Sequence, residues 1–182
     1  MSPSLLSALR PEIEAAEGRT SWLYRDSAVE GHSTVGVGHL VPSYLAARAL
    51  PFAPPIESAE WEVLMAQPAK LVAAHYKPFT RGRLPDEEID LLLERDLDVV
   101  HRGLQGVWSD FDAFPEPAQV ALIDMAYNLG IGGLKKFSRL GASVIAKDWA
   151  RCALQCHRRG IGEARNVRTS QRFAQAAAQV KT

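Results

Sequence analysis

The chain has 182 residues, of which 47% are hydrophobic and 23% charged, and its formal net charge is zero. This balance excludes disordered, collagen-like and coiled-coil classes and is typical of a globular domain. No stretch approaches the roughly 18 consecutive apolar residues of a membrane-spanning helix, so we expect no membrane span.

The charges are unevenly distributed along the chain. Residues 135–182 contain 11 Lys and Arg residues and only two acidic ones, Asp148 and Glu163. A basic end on a neutral protein suggests an anionic polymer as partner, and nucleic acid and bacterial cell wall are both candidates. The alternative is a pair of solvated helix faces. If this region binds an anionic wall, we expect Arg158 and Arg159 to lie on the binding face.

Two further features concern the compartment in which the chain is made. Cys152 and Cys156 are four residues apart, which places them on one face of a helix and predicts free or buried thiols rather than a disulfide. Residues 1–6 lack the charged and apolar regions of a secretory signal. We therefore expect synthesis in the cytoplasm without a signal peptide.

The first predicted element is a short helix over residues 12–17, with Pro11 in its first turn and Gly18 at its end. Residues 22–24 and 34–37 have the composition of strands and predict a small hairpin.

Beyond residue 40 the chain is mostly helical. The Pro-rich run 51–55 predicts a loop. Apolar residues at three- and four-residue spacing predict a helix between Pro85 and Val107 and another from Pro117 to Leu129, which Gly130 ends. Further helices are expected over 141–158 and 165–179.

Three polar segments near the N-terminus have the pattern of a catalytic site. Glu17 lies at the end of the first predicted helix, and Asp26 follows nine residues later on the hairpin. Thr34 opens the strand Thr-Val-Gly-Val-Gly-His. Cleaving a glycosidic bond needs a proton donor for the leaving oxygen and a second group that acts on water or on the developing positive charge. A helix end and a facing hairpin can hold two carboxylates for these tasks, although two acids at this spacing also occur on ordinary surfaces.

In this order the segments resemble the phage-type lysozymes, the bacteriophage T4 lysozyme-like muramidases. That family has a Glu-Gly at the end of its first helix, a Tyr-x-Asp on its first hairpin and a Thr-aliphatic-Gly-aliphatic-Gly-His strand, and all three occur here. Residues 121–130 look like the family's buried central helix. The segment Asn166-Val167-Arg168-Thr169, with Phe173, looks like its C-terminal Asn-x-Arg segment.

The resemblance implies a fold of the α+β class that is mostly α-helical. We expect one lysozyme-like catalytic domain over 1–182, with a small N-terminal β-hairpin lobe near 18–40, a larger helical lobe over 85–182 and a cleft between them. Residues 41–84 match the family poorly and look like an insertion.

The resemblance also implies catalytic roles for three residues. Glu17 would be the general acid, and the chemistry requires it to be protonated when substrate binds. Asp26 would stay ionised and either activate water or stabilise the oxocarbenium-like charge. The Thr34 hydroxyl is too weakly acidic to act as a base and would hold the attacking water. The structural alternatives are a solvated helix-end Glu, a turn cap and a strand-forming Thr.

Several neighbouring residues are expected to bind substrate or support the fold. Gly36 and Gly38 would let the sugar chain or a neighbouring strand approach closely. Asn128, before a glycine-rich turn, either lines the cleft and binds an N-acetyl or hydroxyl group or ends its helix. His39 is expected to be a hydrogen-bonded structural histidine, because the other histidines are scattered and give no metal-ligand spacing. We expect neither a metal nor a cofactor.

One departure from the family concerns the hairpin turn over 28–33. Asp26 and Thr34 are eight residues apart, about two more than the resemblance implies. We expect the enlarged turn to bulge outward, so that Glu17 and Asp26 keep the separation of about 6.5–9.5 Å found in inverting glycosidases.

Together these features predict a peptidoglycan hydrolase, a lysozyme that cleaves the β-1,4 bond between N-acetylmuramic acid and N-acetylglucosamine by inverting acid/base hydrolysis. The alternatives are a lytic transglycosylase, in which the muramic 6-hydroxyl attacks, and a non-catalytic peptidoglycan-binding module.

We expect a monomer whose partner is peptidoglycan and not nucleic acid. As a phage endolysin or a secreted antibacterial effector, it would act in the periplasm or on the cell wall of the target bacterium. It would then need an export partner, either a holin or a secretion apparatus.

Overall fold

The computed structural model describes residues 1–26 and 32–180. Within these ranges the chain forms three β-strands and nine α-helices. In chain order they are α1 (Pro3–Glu17), β1 (Thr20–Tyr24), β2 (Ser33–Gly36), β3 (His39–Val41), α2 (Tyr44–Ala49), α3 (Ser58–Ala66), α4 (Ala73–Tyr76), α5 (Asp86–Gln105), α6 (Glu116–Leu134), α7 (Ser138–Ile145), α8 (Trp149–Gln155) and α9 (Glu163–Gln179). A mostly helical chain with one small sheet confirms the predicted α+β class.

Two compact units divide the chain. The sheet unit comprises Ile13–Asp96, and the helical unit joins Met1–Glu12 to Leu97–Thr182. The boundaries fall within α1 and α5. The predicted hairpin lobe therefore belongs to a unit that also contains the poorly matching residues 41–84. The single catalytic domain and its cleft stay predictions.

Helix α1 begins earlier than the sequence suggested. It starts at Pro3 and contains Pro11 in its interior, whereas we predicted Pro11 in the first turn. Proline has no N–H to donate to the carbonyl four residues before it, which here is the carbonyl of Ser7. Ser7 and Pro11 both lie on the exposed side of α1, where water can satisfy that carbonyl. Burial of Leu5 and Leu9 stabilises the helix on its other side.

The sheet is antiparallel, with strand order β1-β2-β3. The pairing of β1 with β2 confirms the predicted hairpin, although β3 was not predicted as a separate strand. Val37 and Gly38 connect β2 to β3, and Val35 lies opposite His39 in the register. Gly36 and Gly38 have φ angles of 68° and 81°. Because L side chains rarely adopt this left-handed region, both glycines are needed for the chain to reverse here.

Residues 41–84 are attached to β1 by hydrogen bonds. The Trp22 indole N–H donates to the Ala73 carbonyl at 2.8 Å, and the Leu84 N–H donates to the Ser21 carbonyl at 2.7 Å. This segment also supplies buried apolar side chains to the sheet unit: Phe52, Ile56, Leu64, Tyr76 and Leu84. The apparent insertion is thus part of the core that supports the hairpin.

The helical unit confirms most of the predicted helices. Helix α6 is almost wholly buried along its first eleven residues. Gly130, with φ 68° and ψ 161°, interrupts its helical geometry at the predicted stop. Helix α9 packs against α6 and α8. An aromatic cluster fills the core, in which the Trp149 ring lies 5.1 Å from Phe114 and stacks on Phe173 at 6.5 Å.

The predicted helix over 141–158 is two helices, α7 and α8. Lys147 has a φ of 53°, which breaks the helical path, and the Asp148 side chain accepts the Arg151 N–H at 2.9 Å to cap α8. Cys152 and Cys156 are free and buried, as expected. Burial, followed by the charge of Asp148, raises the pKa of Cys152 to about 12.

Candidate active site

Glu17 is the last residue of α1 and is half-buried. Gly18 follows with a φ of 77°, and its N–H closes the final turn by donating to the Glu14 carbonyl at 2.9 Å. Arg19 then fixes the chain, because its guanidinium contacts the carboxylates of Glu14 at 3.1 Å and Asp90 at 2.8 Å. These contacts hold the backbone on both sides of Glu17.

Asp26 follows β1 and is exposed. Its neighbour Arg25 points to the C-terminal end of α3, where the guanidinium donates to the Met65 carbonyl at 2.8 Å and to the Gln67 carbonyl. A cation is favourable at this position because the last carbonyls of a helix are unpaired and carry partial negative charge. Arg25 therefore anchors the chain immediately before Asp26. The enlarged turn that we predicted over 28–33 lies largely outside the described residues.

Thr34 lies in β2 and is only 2% exposed. In the register of the sheet it is directly opposite Tyr24 of β1. Side chains that face each other in an antiparallel pair have Cβ atoms about 4.5–5.5 Å apart. Tyr24 is half-buried. Tyr24 is thus the more accessible of the two residues.

The environment of Tyr24 includes both candidate acids. Burial raises the pKa of the Tyr24 phenol well above its usual range, and the carboxylates of Asp26 and then Glu17 raise it further. Both carboxylates are therefore close enough to act electrostatically on the same hydroxyl. Glu17, Asp26 and Thr34 all belong to the sheet unit, and Thr34 lies opposite Tyr24 in its register.

Gly36 and Gly38 belong to the reversal between β2 and β3. A Cβ atom on Gly36 would lie 3.3 Å from Ile89 Cγ2, so this glycine also permits close packing against α5. Contact with sugar stays a prediction for both glycines. His39 Nδ1 lies 2.9 Å from Asp96 Oδ2, which is the hydrogen-bonded arrangement that we expected.

Asn128 belongs to the helical unit. It lies in α6 two residues before the break at Gly130 and is half-buried. Its Oδ1 accepts a hydrogen bond from Arg158 Nη1 at 3.4 Å, which leaves the amide nitrogen as the donor end of the side chain. Binding of an N-acetyl or hydroxyl group stays a prediction.

Arg158 corrects our interpretation of the basic C-terminal region. Its side chain is 1% exposed, and Nη2 contacts Asp124 Oδ2 at 2.6 Å and Thr169 Oγ1 at 2.7 Å. Arg165 is also buried, and its Nε contacts Asp124 Oδ1 at 2.8 Å. The expectation that Arg158 lies on a wall-binding face is wrong, because its charge is used inside the protein; Arg159 is exposed.

Sequence reasoning missed two residues, Tyr24 and Asp124. Tyr24 was considered only as the first residue of the Tyr-x-Asp motif. Its position two residues before Asp26 predicts that the two side chains lie on the same side of an extended strand. Asp124 stands within the otherwise apolar run 120–126. A charged residue in a buried helix requires a partner of opposite charge, and this requirement could have identified the buried arginines.

Residues 1–26 and 32–180 contain no group of three His, Cys, Asp or Glu side chains able to hold a metal ion. None of the helices in the same ranges combines the length and the apolar character required to cross a membrane. A cavity of about 490 Å³ in the helical unit is lined by His101, Asp112 and neighbouring residues, and no predicted site residue lines it.

The chain is similar to a distant relative among known proteins. The chain is 29% identical over 146 residues to the pre-baseplate central spike protein Gp5 of Enterobacteria phage T4. The match covers 73% of this chain and 21% of that protein, so the chain spans about a fifth of the relative's length. No protein-family model matches the chain.

Proposed function

We propose that this chain is a peptidoglycan hydrolase of the lysozyme type, which cleaves the β-1,4 bond between N-acetylmuramic acid and N-acetylglucosamine. The observation that carries the proposal is that Glu17, Asp26 and Thr34 belong to one compact unit, where they lie at the end of α1, just after β1 and in the paired strand β2. Glycoside hydrolysis requires two carboxyl groups that flank the scissile bond. We assign these two roles to Glu17 and Asp26.

The environments of the two carboxyl groups support a division of roles. Glu17 is half-buried, whereas Asp26 is exposed to water. We assign the more sheltered group as the acid, which gives its proton to the leaving 4-oxygen of N-acetylglucosamine. Asp26 accepts a proton from the attacking water as the water oxygen bonds to C1 of N-acetylmuramic acid and the C1–O4 bond breaks. One water is consumed, and the configuration at C1 inverts.

The distant relative supports a substrate in the bacterial envelope. Gp5 is a central spike protein of a bacteriophage pre-baseplate, and a phage has to cross the wall of its host. We place the action of this chain in the periplasm or on the wall of a target bacterium, which it would reach as a monomer through a holin or a secretion apparatus.

Turbidity of purified sacculi tests the proposal. Glu17→Gln keeps the size of the side chain and removes its transferable proton. We expect lysis to fall by roughly 10²–10⁴-fold while the circular dichroism spectrum is unchanged. Glu87→Gln is the matched control, because Glu87 is an exposed residue in the first turn of α5 and should lyse like the wild type.

Mass spectrometry of the released sugars identifies the reaction. Hydrolysis leaves a reducing N-acetylmuramic acid end, whereas a transglycosylase leaves a 1,6-anhydro end. Near-normal lysis by a folded Glu17→Gln protein, or anhydro products from the wild type, would overturn the proposed function.

A further inference from the structure

The helical unit contains another cavity, of about 190 Å³, whose walls are mostly apolar. It lies between the chain that follows α5, the end of α6 and helix α7. Six apolar side chains line it: Val107, Trp108, Leu134, Phe137, Leu140 and Ile145. Apolar cavities of about 150 Å³ accept small apolar molecules. This cavity is therefore large enough for one short chain or one ring and too small for a polymer.

The cavity is accessible from solvent. Leu134 and Leu140 are buried and form its floor, whereas Trp108 and Phe137 are half-buried. Ile145 is 74% exposed. A ligand that covers these exposed apolar side chains removes them from water, which favours binding.

Gly141 lies in the wall of the cavity, inside α7. Glycine inside a helix is destabilising relative to alanine. The backbone does not require a glycine here, because Gly141 is not among the residues with positive φ. Close packing does not require it either, since a Cβ atom at this position would have no heavy atom within 4 Å. The missing side chain thus leaves open space in the cavity wall.

Lys135 is the one charged residue among those that line the cavity in the described part of the chain. It directly follows α6 and is exposed. A lysine can lay its aliphatic stem along an apolar wall while its ammonium group stays in water. Ligand pockets commonly combine apolar walls with a few polar groups that fix the orientation of the ligand. A cation in this position favours a ligand with an anionic head group.

We propose that this cavity binds a small apolar anion, a short aliphatic chain that ends in a carboxylate. The chain lies among the apolar side chains, and the carboxylate pairs with the Lys135 ammonium group. The volume of the cavity, its apolar walls and its single cation each match one property of such a ligand. The inference does not depend on the proposed function, because the cavity belongs to the helical unit, whereas Glu17 and Asp26 belong to the sheet unit.

A titration with sodium octanoate, followed by NMR of the tryptophan indole N–H groups, tests the inference. We expect the Trp108 signal to shift and to saturate at about 1–10 mM octanoate. Trp22 and Trp61 are internal controls, because both belong to the sheet unit, and their signals should stay in place. No shift of Trp108 in this range would overturn the inference.

Filling the cavity should prevent binding. Gly141→Leu places a side chain in the open space, and we expect the octanoate-dependent shift of Trp108 to disappear while the circular dichroism spectrum is unchanged. Gly132→Leu is the matched control, since Gly132 is an exposed glycine of α6 that likewise has no heavy atom within 4 Å of a Cβ atom and is not among the lining residues. Wild-type affinity in a folded Gly141→Leu protein would place the ligand elsewhere and overturn the inference.

Charge reversal tests the anionic head group without relying on a filled cavity. Lys135→Glu should weaken octanoate binding about fivefold and leave the affinity for neutral 1-octanol unchanged. Lys136→Glu, at the next exposed lysine, should keep the octanoate affinity within about twofold of the wild type. Equal affinities for octanoate in the Lys135→Glu and Lys136→Glu proteins would overturn the pairing with Lys135. Glu17→Gln should bind octanoate like the wild type, so failure of the proposed hydrolysis would leave this test intact.

Discussion

Asp124 in the helical unit and Asp26 in the sheet unit are the same kind of side chain in opposite settings. Asp124 is 5% exposed, and its two carboxylate oxygens accept from Arg158, Arg165 and Thr169. Asp26 is exposed, and its charge and that of a second acid, Glu17, both raise the pKa of Tyr24. A buried carboxylate surrounded by cations has a structural role, because moving it or protonating it would leave charges unpaired. A carboxylate on the surface beside another acid can exchange protons with substrate and water.

The largest predicted effect on stability follows from removing the buried charge. Asp124→Asn keeps the shape of the side chain but leaves the guanidinium groups of Arg158 and Arg165 without their carboxylate. We expect the free energy of unfolding to fall by about 3–5 kcal/mol. Urea denaturation measures this as a lower midpoint with an unchanged m-value.

An exposed acid of the same unit provides the control. Asp98 is 51% exposed and pairs with the N-terminal amine at 3.3 Å, so Asp98→Asn should cost at most about 1 kcal/mol. If Asp124→Asn were no more destabilising than Asp98→Asn, the buried cluster would not hold the helical unit together as described.

A smaller effect is expected at alkaline pH in the sheet unit. Burial, Asp26 and Glu17 raise the pKa of Tyr24 in the folded state. The contribution of this phenol to stability is therefore fully present below the unfolded pKa of about 10 and is lost as the pH rises above it, because the unfolded chain releases the proton first. Tyr24→Phe should lose less stability between pH ~10 and ~11 than the wild type. Urea midpoints across this range measure the difference, with Tyr44→Phe as control; equal slopes for the wild type and Tyr24→Phe would contradict the electrostatic environment assigned to Tyr24.

The local pattern of residues along the sequence was sufficient to predict much of the fold. Apolar spacing predicted α5 and α6, and Gly130 was a correct stop because its φ of 68° is readily available to glycine. The hairpin was predicted from strand composition. The start of α1 was missed because a proline inside a helix is tolerated when its face is exposed, and exposure depends on packing that a local pattern does not contain. The break at Lys147 was missed for a similar reason, since a non-glycine residue with positive φ has no clear sequence signal.

The site was harder to predict than the fold. The motif indicated Glu17, Asp26 and Thr34, but the pairing that places Tyr24 opposite Thr34 depends on the strand register. The basic residues of the C-terminal region were counted correctly, but Arg158 was wrongly expected on a binding surface. A count of charges does not distinguish Arg158, which is buried against Asp124, from Arg159, which is exposed. Pairing partners distant in sequence decide the difference.

The stereochemistry of cleavage tests the central claim most directly. If Glu17 and Asp26 act on opposite sides of the scissile bond with a water between them, hydrolysis is a single displacement. Proton NMR at early times, on a soluble peptidoglycan fragment with wild-type protein, should then show the α-anomer of the new N-acetylmuramic acid end before mutarotation. An initial β-anomer would show retention of configuration, and it would contradict the roles given to Asp26 and the attacking water.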